Sequence, residues 1–281
     1  MHDEQGAIAA SASASDADTL AARLARVRER IAAAAARSGR PAAAITLLAV
    51  TKNVPAEGVR AAYAAGMRDF GENRVQEALR KIPELHLPDA RWELIGHLQT
   101  NKVREAAPLF ARIQSVDSLR LMERLDAQAA ALGRRLPVLL EVNAGEEASK
   151  LGIRPGEALD AARALAGFAH LAPQGLMTVA PIGNEEVVRP VFRRMRELRD
   201  MLRRAVPLSG DGEDDHAGAG EGGWDVLSMG MSDDYELAIE EGATLVRIGR
   251  VLFGPRPAPA ARAPAEAAPA ESEEGAADEG G

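Results

Sequence analysis

Apolar residues recur along this chain with two periods, and their alternation predicts the architecture. Short, nearly continuous apolar runs fall at 45–51, 68–70 ("RDF"), 92–95 ("WELI"), 112–116 ("RIQSV"), 137–142 ("PVLLEV"), 173–178 ("PQGLMT"), 225–228 ("DVLS") and 244–248 ("TLVRI"). Runs of this length read as strands buried on both faces. Between them the segments 56–65, 73–81, 118–132, 156–167, 186–205 and 233–241 carry the helical period. It is plainest over 186–205, where Val187, Val188, Val191, Phe192, Met195, Leu198, Met201 and Leu202 fall on one stripe. A further helix is predicted at 19–37, with Leu20, Leu24, Val27 and Ile31 on its buried side, Asp18 or Thr19 as cap, and Gly39 and Pro41 ending it. Eight strands alternating with helices over about 220 residues predict a single (β/α)8 TIM-type barrel with an extra N-terminal helix.

The flanks break this pattern. Residues 1–17 are rich in Ala, Ser and Asp, and 257–281 hold Pro, Ala, Glu and Gly with almost no large apolar residue. Neither can bury a core, so both are expected to be disordered tails around a barrel over 18–256. The acidic, glycine-rich stretch 209–223, "SGDGEDDHAGAGEGG", is expected to be a flexible loop within it.

Composition narrows the chemistry. The chain has 281 residues and a net charge of −8, which argues against a general nucleic-acid binder. It has no cysteine, so thiol chemistry and cysteine metal sites are excluded. Five scattered histidines without metal-ligand spacing point away from a metal site. With no 18-residue apolar stretch and no signal-peptide pattern over 1–18, a cytoplasmic location is expected.

The basic residues are uneven. Of 34 lysines and arginines only four are lysine, namely Lys52, Lys81, Lys102 and Lys150. Where arginine has taken most roles that need only positive charge, a remaining lysine can mark a need for its amine, since a guanidinium stays protonated. Lys81, in "LRKIPEL", is read as a chance survivor. Lys52 is different: it follows the first strand in "LLAVTKN" and by alternation shares the inward face with Leu48 and Val50. A lysine rising from an apolar interior favours the neutral amine, which attacks carbonyls to form a Schiff base. A salt-bridged structural lysine explains that position, taken alone, equally well.

The last strand shifts the balance. "LVRIGRVLFG" puts Arg247 inside an apolar strand, and in a closed barrel that strand lies beside the first. A buried arginine needs a partner, and a pyridine nitrogen or a carboxylate would serve. The backbone at Gly249 and Arg250, together with the hydroxyls of Ser228 and Ser232 in "LSMGMSDDYE", can cradle a phosphate where such barrels usually bind one. Ser232 reads equally as the cap of the following helix. An amine, an arginine and a phosphate cradle match the three functional ends of pyridoxal 5′-phosphate.

The stretches "LLAVTKN", "FGENRVQE", "WELIGHLQTNK", "GLMT", "SMGMSDDYELAI" and "VRIGRVLFG" strongly resemble the pyridoxal phosphate homeostasis protein family, itself similar to the N-terminal barrel of alanine racemases. The resemblance spans about residues 20–256. It implies that Lys52 carries the cofactor as a Schiff base and that Arg247 faces the ring nitrogen. Ser228, Gly249 and Arg250 would then hold the phosphate, and Asn73 would line the pocket. His97, Asn101 and Lys102 have loop and capping roles as alternatives to ligand contact, and Lys150 reads as a solvated loop residue, with a second amine near the mouth as the alternative. Tyr235 is expected to pack on its helix, and Met177, Met229 and Met231 to wall the pocket.

An arginine opposite the ring nitrogen leaves it unprotonated, which weakens the ring as an electron sink. Racemisation also needs a base on the far face, which in alanine racemases is a tyrosine of an extra C-terminal domain. Only 27 low-complexity residues follow Gly254 here. The sequence therefore reads as a carrier or regulator of pyridoxal phosphate without robust turnover, apo forms of dependent enzymes being candidate partners and a monomer the expected state. An amino-acid racemase and a class I aldolase-like barrel are the alternatives, and the aldolase leaves Arg247 without a purpose.

Overall fold

A computed structural model describes residues 19–147, 149–208 and 223–254. The expected tails 1–17 and 257–281, and the loop 209–223 apart from Gly223, lie outside the described residues. Eight parallel strands close a barrel in chain order, β1 through β8. They are β1 Thr46–Val50, β2 Asp69–Glu72, β3 Arg91–Leu94, β4 Arg112–Val116, β5 Leu136–Glu141, β6 Leu171–Met177, β7 Val226–Ser228 and β8 Leu245–Ile248. The helices are α1 Leu20–Arg37, α2 Ala56–Ala64, α3 Val75–Leu85, α4 Val103–Ala106, α5 Leu119–Ala131, α6 Ala158–Ala166, α7 Glu185–Ala205, α8 Tyr235–Glu240 and α9 Arg250–Phe253.

Strand alternation sorts the core into two sets. Leu48, Leu139, Met177, Val226 and Leu245 fill the barrel with Ile95 packed against them. Their chain neighbours Ala49, Leu140, Leu176, Leu227 and Val246 face the helices. The closing seam pairs β1 with β8, with Leu48 level with Arg247 and Ala49 level with Ile248.

The helices form where the apolar stripe and caps direct them. Thr19 caps α1 by accepting from the Ala22 N–H at 3.2 Å, and Leu24, Val27, Ile31, Ala34 and Ala35 are buried. Burial of each large side chain among these contributes about 1.5–3 kcal/mol. This extra helix lies against α8 and α9. Arg30 and Arg37 bind Glu236, Arg37 also reaches Glu240, and Arg23 Nε donates to the Leu252 carbonyl at 2.8 Å. The stripe of α7 is buried at Val188, Val191, Phe192, Met195 and Leu202, whereas Val187, in the uncovered first turn, is 48% exposed.

Two local expectations are corrected. Ser232 does not cap α8: that helix starts at Tyr235 after Asp234, whose carboxylate accepts the Met231 N–H at 2.6 Å. The predicted end of α3 at residue 81 is four residues early, because the helix runs through Pro83 to Leu85.

Candidate functional site

Lys52 stands two residues beyond the end of β1, half-buried, at the carboxyl-end mouth of the barrel. Its neighbours are held on both sides. The Thr51 N–H donates to the Gly71 carbonyl at 3.0 Å, the Val54 N–H returns to the Thr51 carbonyl at 2.9 Å, and Asn53 takes a left-handed φ of 57°. Behind this turn the Lys81 ammonium donates to the Thr51 carbonyl at 2.7 Å, Glu72 Oε1 at 2.8 Å and Glu77 Oε1 at 2.6 Å. Those three acceptors use all three ammonium hydrogens. Lys81 is therefore not a chance survivor but a mostly buried hub.

Arg247 is fully enclosed on the inward face of β8, 3% exposed. It is level with Leu48 and not with Lys52, and its guanidinium reaches across the barrel. Nη1 donates to the Ser228 hydroxyl at 2.6 Å, and Nη2 donates to the Thr178 carbonyl at 2.7 Å. The Ser228 hydroxyl donates to Gln114 Oε1 at 2.6 Å, and Gln114 Nε2 donates to Glu93 Oε2 at 2.5 Å. Arg112 closes the chain with a bidentate hold on Glu93 at 2.8 and 3.0 Å. A buried polar line thus runs from the barrel floor to Arg247. Burial lowers the Arg247 guanidinium to about 10, with Asp234 and Glu141 opposing the shift, so it stays charged at neutral pH.

The Ser228 hydroxyl, expected at a phosphate, is thus committed to Arg247 and Gln114. Ser232 is half-buried nearer the surface. Gly230 shapes the turn between them with φ 91°, and its carbonyl accepts the Arg247 N–H at 3.0 Å. Gly249 is buried and opens α9, its carbonyl accepting the N–H groups of Leu252 at 3.0 Å and Phe253 at 2.9 Å. The Arg250 side chain is exposed and pairs with Asp233. Asn73, just past β2, lies against Gly96: a Cβ on that glycine would come within 2.3 Å of the Asn73 carbonyl oxygen.

Other residues fall away from these or join them. His97 is exposed and pairs with Asp117 at 3.1 Å, Asn101 is exposed in a short helical turn, and Lys102 pairs with Glu105. Lys150 is not merely solvated: its ammonium ties Glu147 at 2.5 Å to the carbonyls of Ala180 at 3.0 Å and Val179 at 3.3 Å, joining the loops after β5 and β6. Tyr235 is buried on α8 as expected. Met177 lines the barrel, Met229 packs towards the helices and Met231 is exposed.

Sequence reading missed Glu141, the last residue of β5, on the same face as Leu139. Burial, reinforced by Asp117 and offset by Arg247, raises its carboxyl to about 7. A charged residue closing an inward-facing apolar run was the available signal. The site therefore offers an amine at the mouth, a buried cation below it, a titratable carboxyl and a glycine-shaped turn beside a helix start. These fit a compact anionic ligand with a carbonyl and a hydrogen-bond-accepting ring. Among the described residues no cluster of three or more metal-ligating side chains exists, and no helix is long and apolar enough to cross a membrane.

A barrel with a lysine after its first strand and an inward arginine on its last defines the alanine-racemase class, and the family model described as alanine racemase, N-terminal domain, matches residues 22–257. The chain is 43% identical over 246 residues to the pyridoxal phosphate homeostasis protein of Pseudomonas aeruginosa, covering 86% of this chain and 99% of that one. It is 41% identical over 235 residues to the protein of that name from Aquifex aeolicus, covering 83% and 97%. Among solved structures it is similar to PipY of Synechococcus elongatus with PLP bound, at a TM-score of 0.68 and 38% identity over 84% of this chain and 100% of that one. The chain belongs to the pyridoxal phosphate homeostasis protein family.

Proposed function

We propose that this protein binds pyridoxal 5′-phosphate through Lys52 and holds it as part of the cell's handling of that cofactor, without robust turnover of amino acids. The observation that carries the reading is Arg247. It is a buried, charged guanidinium on the inward face of the strand that closes onto the lysine strand. Bound there, the cofactor supplies a carbonyl for an amine and a ring able to delocalise charge. The protein's residues set how far that ability is used. A guanidinium that remains protonated cannot hand a proton to a ring nitrogen, so Arg247 binds the ring without activating it strongly. Lys52 supplies the amine, Asn73 lines the pocket, and Ser228, Gly249 and Arg250 form the phosphate side, Ser228 acting there while it also orients Arg247. Two relatives above 40% identity named for pyridoxal phosphate homeostasis and a 38% identical relative solved with PLP support the assignment. Receipt of the cofactor by apo enzymes, a monomeric state and a cytoplasmic location complete the proposal.

A racemase is the second reading, favoured by the titratable Glu141 beside Arg247. One experiment addresses both. The protein is loaded with pyridoxal phosphate, reduced with borohydride and peptide-mapped, and α-proton exchange of L- and D-alanine is followed by NMR in deuterated buffer. The adduct should lie on Lys52 and be lost in Lys52→Ala, with exchange far below about 1 s⁻¹. An adduct on Lys102 or Lys150 defeats the binding assignment. Lys52-dependent exchange at or above that rate restores the racemase.

A further inference from the structure

The residues around Lys52 are fixed by a device that no strand ladder requires. Thr51 is gripped three times: its carbonyl by Lys81 at 2.7 Å, its hydroxyl by Glu72 Oε1 at 2.6 Å, and its N–H by Gly71 at 3.0 Å. Asn53, on the other side of Lys52, gives its N–H to Glu77 Oε1 at 2.8 Å. Glu72 ends β2, while Glu77 and Lys81 stand one turn apart on α3. The three side chains form one hub, since Lys81 binds both carboxylates. Holding it together opposes real costs. Glu72 is completely buried, its Oε2 has no hydrogen-bond partner, and burial raises its carboxyl above the ordinary range despite Lys81 and Thr51. Asn53 adopts a left-handed conformation, which asparagine tolerates better than other non-glycine residues but still at some cost. Strain and a half-satisfied buried carboxylate persist where surrounding structure over-determines them.

We infer that Lys81, with Glu72 and Glu77, is a positioning residue: it clamps the backbone on both sides of Lys52 and so fixes where the Lys52 amine meets the ligand. This rests on the reading that Lys52 is the attachment point. Charge alone does not account for the hub. Three acceptors converge on one nitrogen, which suits an ammonium with three hydrogens and not a planar guanidinium fork. The position is thus one of the few where this arginine-rich chain retains lysine.

The test uses the full chain and Lys81→Met, Lys81→Arg and Glu77→Ala. Glu77→Ala leaves Glu72 paired and removes only the grip on Asn53 and one acceptor of Lys81, so it serves if Lys81→Met does not fold. Leu125→Ala, in the core face of α5, is a control of lowered stability remote from the turn. In cofactor-free protein, amide exchange at Asn53 should accelerate about tenfold or more in all three hub variants, the equivalent of about 1.4 kcal/mol. In protein loaded with pyridoxal phosphate, its release should quicken by a similar factor and the visible band should shift. Lys81→Arg should fail to restore either. Borohydride mapping of the native protein separates the two ideas, since an adduct elsewhere than Lys52 defeats the attachment assignment whatever the variants do. With the adduct on Lys52, three results overturn the positioning role: wild-type release and band in Glu77→Ala, faster exchange at Asn53 with unchanged release, or equal changes in Leu125→Ala.

Discussion

Ser228→Ala tests the polar line beneath the site most directly. The hydroxyl is wholly buried, accepts from Arg247 Nη1 at 2.6 Å and donates to Gln114 Oε1 at 2.6 Å. Alanine removes one atom and orphans two groups, a charged donor and a neutral acceptor. A buried group left without a partner costs about 1–3 kcal/mol, with the charged one at the upper end. Deleting a single oxygen leaves less room than a water molecule occupies, so solvent cannot take its place. Relaxation of Gln114 towards Glu93, and of Arg247 towards Thr178, recovers part of the loss, which leaves a destabilisation of about 3 kcal/mol. For a domain of this size that lowers Tm by roughly 6–12 °C. Urea unfolding of cofactor-free protein measures it, with an unchanged m-value showing that compactness is retained. Gln114→Leu should couple strongly to Ser228→Ala in a double-mutant cycle, because the two share one hydrogen bond. A loss under about 1 kcal/mol with additive behaviour would refute the line as a stabilising network.

Two further expectations concern the same mouth. Glu141 has a folded value of about 7 against about 4.3 when unfolded, so the folded state holds the extra proton between those values and stability falls as pH rises through that window. Glu141→Gln should flatten this slope, gaining up to about 3 kcal/mol on the wild type at pH 8 and almost nothing at pH 4; parallel stability curves from pH 4 to 8 would contradict it. Gly96→Ala should cost about 3 kcal/mol and weaken pyridoxal phosphate binding. Its Cβ meets the Asn73 carbonyl oxygen, carbon and Cα at 2.3, 2.9 and 2.9 Å, all backbone atoms that cannot rotate away. Unfolding and titration of the same variant check both effects.

The fold was legible because each strand and each long helix carries its own period. Predicted strand limits agree with the structure to within two residues at every end, even for the three-residue β7. Arg247 could be found because a charge interrupts an apolar run, and Lys52 because it follows one. What stayed hidden depends on pairs far apart in sequence. Ser228 and Gln114 are separated by 114 positions, and no local pattern tells that one faces the other across the barrel. The cap of α8 was missed because "SDD" offers three capping residues in a row and tertiary contacts choose among them. Short α4 and α9 have too few residues to show a period.

The lysine count was the more informative signal, and it was applied to too few residues. An ammonium suits a place where several acceptors converge on one nitrogen, and two of the four lysines here occupy such a place. Lys81 gathers a carbonyl from the turn after β1 and carboxylates from β2 and α3. Lys150 gathers two carbonyls and a carboxylate from the loops after β5 and β6. Both lie at the carboxyl end of the barrel and stitch together the loops that bound the site. Lys102, with one carboxylate within its own turn, lacks such a set, and charge alone explains it. Two of the four retained lysines therefore sit at the rim of the proposed pocket. Lys81 is rigid for a physical reason: an ammonium with all three hydrogens engaged cannot swing towards a ligand without breaking several charge-assisted hydrogen bonds. Lys52, two residues beyond the strand in which Leu48 lies level with Arg247, is the lysine to which the proposed function assigns the reactive amine.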